Sequence, residues 1–125
     1  MESAPRKVRV HRRIEGSRER FALEELGSGR VVTLRADLSP GWNDVFPPRH
    51  ESLTAIASAA GWRVESVLFR WTGELAASVT LACPEGGRMS IAAWPGTACR
   101  LGLACSCEVL IEEAALAELA ARGAA

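Results

Sequence analysis

Val8 and Val10 alternate with Lys7, Arg9 and His11 near the start of the chain, a period-two pattern that predicts a strand with one apolar and one basic face. Phe21 and Leu23 mark a second strand and Val32 and Leu34 a third, with turn chemistry at Gly27-Ser28-Gly29 between them. These strands predict a meander over residues 7–36. The alternation then stops. Residues 38–49 hold three prolines, a glycine, Trp42 and Phe46 without periodicity, and predict an irregular loop. From His50 to Ala60, Leu53, Ile56, Ala57 and Ala60 recur at helical spacing, and Gly61 supplies the stop.

Three more strands follow. Val64, Val67 and Phe69 alternate imperfectly across Arg63–Arg70, Leu75 to Cys83 alternate cleanly, and Met89, Ile91 and Ala93 form the third set. Turns at Trp71-Thr72-Gly73 and Pro84-Glu85-Gly86-Gly87 link them. Pro95-Gly96 ends the last strand, because proline offers no ladder donor and glycine tolerates a sharp turn. Thr97 is then the expected cap of a helix with Ala98, Leu101 and Gly102 on one face. Val109 and Ile111 restart a strand, and Glu112-Glu113 open a last helix, where the dipole favours negative charge. The reading is an α+β fold: a largely antiparallel sheet, a central helix, and a C-terminal helix–strand–helix unit, in one domain over 1–125.

At 125 residues the chain can bury roughly two-thirds of its unfolded surface. Its 48% hydrophobic and 24% charged content excludes a disordered polar chain. No apolar run reaches the ~20 residues a bilayer span requires, and MESAPRKVRV lacks a signal-peptide core. A cytoplasmic protein with no membrane partner is therefore expected.

Net charge is zero but unevenly distributed. Arg6, Lys7, Arg9, Arg12, Arg13, Arg18 and Arg20 face only Glu15 and Glu19 over the same stretch, whereas Glu108, Glu112, Glu113 and Glu118 gather near the C-terminus. A basic strand suits either a sheet edge protected by charge or a surface that binds phosphate backbones. Four cysteines lack the spacing of a zinc knuckle, since Cys99, Cys105 and Cys107 hold no C-x2-C pair and no neighbouring histidine. Cys99 and Cys83 read as small buried hydrophobes, and Cys105 and Cys107 fall at a helix–strand junction.

The order from Arg88 to Leu116 resembles the C-terminal part of the bifunctional nuclease family, small domains with RNase and DNase activity. That family runs a strand into Arg-Pro-Ser-Asp-Ala, then an apolar helix, a strand and a second helix. Trp94-Pro95-Gly96-Thr97-Ala98, Glu108-Val109 and Ala115-Leu116 stand at the matching places. Upstream, Pro48-Arg49-His50-Glu51-Ser52-Leu53 matches the family's Pro-Leu-Thr-His-Asp-Leu-Leu helix start, so the likeness covers about residues 47–118. It implies His50 and Glu51 as catalytic residues, with Arg49, Thr97 and Trp94 near the substrate. It also implies a nucleic acid partner, whose phosphates the basic first strand, Arg9 and Arg12 included, would grip by charge, and a divalent metal if the nuclease chemistry is retained; no other cofactor is implied. The motif arginine, serine and aspartate are replaced by Trp94, Gly96 and Thr97, which can neither neutralise phosphate nor hold a metal. A domain of weak nuclease activity follows, with Asp44 and Glu108 as the replacement acids at hand.

The same residues admit other readings. His50-Glu51 is also a good pair for closing off a helix start. Trp42, Trp94, Thr97 and His50 would suit an apolar pocket for a flat small molecule, as in a binding protein or specialised biosynthetic enzyme. An exposed sheet face or the last helix would suit a homo-oligomeric interaction module.

Overall fold

A computed structural model describes residues 4–15, 18–35 and 60–123. The chain is an α+β protein. Its strands are β1 (Arg6–Glu15), β2 (Arg18–Glu25), β3 (Val31–Arg35), β4 (Arg63–Trp71), β5 (Leu75–Ala82), β6 (Arg88–Ala93) and β7 (Glu108–Ile111); the described helices are α1 (Pro95–Cys105) and α2 (Glu113–Gly123). The seven strands form one sheet in the order β3-β2-β1-β7-β4-β5-β6. Two antiparallel meanders, β1–β2–β3 and β4–β5–β6, are joined by β7, which runs antiparallel to β1 and parallel to β4. That parallel step requires a crossover, and α1 supplies it on the way from β6 to β7. The central helix expected over His50–Ala60 and the loop expected over 38–49 lie outside the described residues.

Both described helices cover one sheet face. Phe21, Leu23, Val67, Phe69, Val79 and Ile111 point into it from the strands, and Cys99, Leu101, Ala115 and Leu116 meet them from α1 and α2. The imperfect alternation of β4 has a local cause: the register slips between Val64 and Ser66, leaving Glu65 in a bulge, after which Val67 and Phe69 return to the core face. Trp71, half-buried at the end of β4, packs under Arg122 of α2, whose guanidinium lies 4.8 Å from the ring centre. No helix among the described residues is long and apolar enough to cross a membrane.

Two expectations are corrected here. The arginine-rich strand is not a sheet edge, because β1 lies between β2 and β7, and among the described strands the edges are β3 and β6. The Pro95-Gly96 pair is not a separate turn capped by Thr97. Helix α1 begins at Pro95 itself, with Trp94 in the extended N-cap position and no side-chain cap bond. Ala98 N–H donates to the Trp94 carbonyl at 2.9 Å. A proline at the first helical position lacks an N–H that has no intrahelical partner anyway, and its fixed φ already suits the helix. Thr97 thus sits one turn inside, half-buried.

Candidate functional site

Strand alternation sorts the basic residues. Val8 and Val10 are buried under the helices, so Lys7, Arg9, His11 and Arg13 take the opposite, outer face of β1. By the same logic β2, with Phe21 and Leu23 inward, sends Arg20, Ala22 and Glu24 outward. Arg12 shares its phase with Val8 and Val10, at an exposed position farther along the strand. Arg9 and Arg12 therefore fall on opposite faces.

The register brings like charges together. Arg13 lies directly opposite Arg20, and Arg20 directly opposite Arg35 on β3. Like charges at paired positions on one sheet face repel and destabilise the ladder. The next outward row is His11–Ala22–Thr33, and the one after it Arg9–Glu24–Val31. Acidic residues share this surface. Glu24 Oε1 lies 3.0 Å from His11 Nε2, and Glu108 of β7 lies 3.2 Å from Lys7 Nζ. Among the described residues these rows contain no Trp or Phe, so they offer cations to an anion but no large aromatic platform for a base.

A second cluster was not foreseen. Glu25 continues the inward phase of Phe21 and Leu23 and is 2% exposed. Its carboxylate accepts from Ser28 Oγ at 2.6 Å and from Arg6 at 2.9 Å, and lies 3.4 Å from Arg30. Ser28, ahead of both arginines and against the opposing effect of burial, holds the Glu25 carboxyl below its ordinary range. The same two arginines reach Glu113 at the start of α2, at 3.3 and 3.5 Å. This network ties the β2–β3 turn and β1 to α2, and every charge in it has a counter-charge. Its signal in the sequence was a glutamate in phase with two core hydrophobes beside a Gly-Ser-Gly turn.

Of the residues expected around the family motif, Trp94 and Thr97 are described, and neither is brought to the arginines of β1. Trp94 follows β6 and is 37% exposed, while Arg9 lies on β1. Four strand steps separate β1 from β6, or about 19 Å at the usual ~4.8 Å spacing. A cavity of about 340 Å³ lies at the other end of β6 from Trp94, lined by Arg63, Glu65, Cys83 and Arg88. In its wall Arg88 Nε donates to Glu65 Oε1 at 2.7 Å. Among the described residues no three His, Cys, Asp or Glu side chains group as metal ligands. Thr97 is neutral and Glu108 is paired with Lys7, so these two do not fit a divalent ion. Trp42, Asp44, Arg49, His50 and Glu51 lie outside the described residues. No family model matches this chain, and no curated protein matches it in sequence.

Proposed function

We propose that the chain is a divergent bifunctional-nuclease-like domain that holds nucleic acid by its phosphates on the outer face of β1–β3, with weak nuclease activity at most. The observation that carries this reading is the strand alternation that sets Arg9, Arg13 and Arg20 on one outer face of β1 and β2, with Arg13 opposite Arg20 in the register. A polyanion laid over that face would exchange condensed counterions for these cations. The lack of Trp or Phe on the outer rows argues for backbone contact without sequence preference.

Weak activity follows from the donor set. Thr97 and Trp94 replace the motif's aspartate and arginine, and no cluster among the described residues supplies a metal-supported step. The test is binding of a fluorescent duplex across a salt series. Affinity should fall by about 0.9 log unit per log of salt for each phosphate neutralised. Replacing Arg13 and Arg20 together by alanine should flatten that dependence by about two contacts' worth. No binding at low salt would sink the reading.

A further inference from the structure

The two edges of the sheet differ. Edge strand β3 is flanked by Arg30 and ends in Arg35, and α2 packs against it. Edge strand β6 carries a single charge, Arg88, at its first residue. From Met89 to Ala93 it has no charge and no proline, and its register with β5 runs without a bulge. Those are the usual devices that keep an edge from pairing with another chain.

The hydrogen-bond phase shows which groups that edge offers. Cys83 N–H donates to the Gly87 carbonyl at 2.7 Å, just ahead of β6. In an antiparallel ladder the main-chain groups of alternate residues point the same way. Gly87, Met89, Ile91 and Ala93 therefore turn theirs toward β5, and Arg88, Ser90 and Ala92 turn theirs outward. No described strand lies beyond them.

We propose that β6 is the pairing edge of a homodimer, with two copies of this chain joined β6 to β6, antiparallel, about a two-fold axis at Ile91. Residues opposite one another in an antiparallel pair must share a face, and this register satisfies that condition throughout. Ser90 of one copy meets Ala92 of the other as a main-chain hydrogen-bonded pair, and Ile91 meets itself. Met89, 48% exposed, gains the small Ala93 as its neighbour on the core face. Arg88, whose Nε is hydrogen-bonded to Glu65, comes opposite Trp94 of the second copy, which is 37% exposed. No like charges meet, and Met89 within the strand and Trp94 just beyond it both lie at the contact. An isologous contact of this kind closes on itself and stops at two copies.

Sedimentation equilibrium of the full chain should give twice the 13.4 kDa chain mass, reverting to one chain on dilution. Ser90→Pro removes an outward N–H that β5 does not use, so it should give a folded monomer with unchanged far-ultraviolet circular dichroism. Ala92→Lys places a charge on the same edge and should do likewise, which keeps the test open if the proline variant fails to fold. Ile91→Cys should form an interchain disulfide under mild oxidation, located at position 91 by peptide mapping. A wild-type chain that stays monomeric at its solubility limit would overturn the proposal. So would a dimer that persists in folded Ser90→Pro or Ala92→Lys protein. Ready crosslinking through Ser90→Cys and none through Ile91→Cys would overturn the register.

Discussion

Glu25 occupies a place where alternation alone would put a hydrophobe, and its neighbours explain how a carboxylate survives there. Ser28, Arg6 and Arg30 supply the donors that water would otherwise provide. Because the folded carboxyl is held below its ordinary range, its contribution to stability is complete above the unfolded value of about 4.3 and is lost as pH falls through the lower folded value. Thermal melts of the wild type should therefore drop steeply on the acid side. Glu25→Gln should be less stable at neutral pH and show a shallower acid limb, whereas Ser28→Ala should retain an acid limb displaced toward higher pH. An acid limb identical in wild type and Glu25→Gln would show that other carboxylates set it. At this scale the sequence marked Val8, Phe21, Leu23 and Val67 as core, because period two exposes such residues directly. It could not mark the Glu25 network, whose four partners, Arg6, Ser28, Arg30 and Glu113, lie 19, 3, 5 and 88 residues away.

Among the elements, α1 is the one whose placement depends on a single small residue. A Cβ built on Gly102 would stand 2.8 Å from Val109 Cγ2 and 3.7 Å from Val10 Cγ2. The helix can approach the junction of β1 and β7 only without that carbon. Gly102→Ala gains about 1 kcal/mol of helix propensity, but overpacking a filled core costs roughly 1–3 kcal/mol. A net loss of stability in urea denaturation is expected, and pairing it with Val109→Ala should recover part of that loss. A Gly102→Ala protein more stable than wild type would mean that α1 shifts freely. The strands and the two C-terminal helices were legible as elements because each carries its own period. The helix start was misread by three residues, since Pro95-Gly96 serves a strand stop and a helix start equally well. The parallel pairing of β4 with β7 was not legible, because side-chain alternation has the same period in parallel and antiparallel ladders.

For the molecule as a whole, the order β3-β2-β1-β7-β4-β5-β6 puts the arginine row and the uncharged edge at opposite ends of one sheet. A two-fold axis between two β6 strands would separate the β1 strands of the copies by nine strand steps. That is about 43 Å at the usual spacing. At about 20–25° per step, the sheet twist over that distance amounts to roughly half a turn. The two basic faces of such a dimer would point to opposite sides, even though the axis runs through a continuous sheet. A short oligonucleotide cannot touch both, so dimerisation should confer no avidity on it. Each protomer of the wild type should bind a short duplex with the same affinity and salt slope as monomeric Ser90→Pro protein, at one duplex per protomer. Arg13→Ala with Arg20→Ala should weaken binding and leave the sedimentation mass unchanged, since groups this far apart with no shared partners contribute additively. If monomeric Ser90→Pro bound the short duplex much more weakly than the dimer, one duplex would be reaching both faces. The sheet would then have to be far flatter than its strand count and ordinary twist imply.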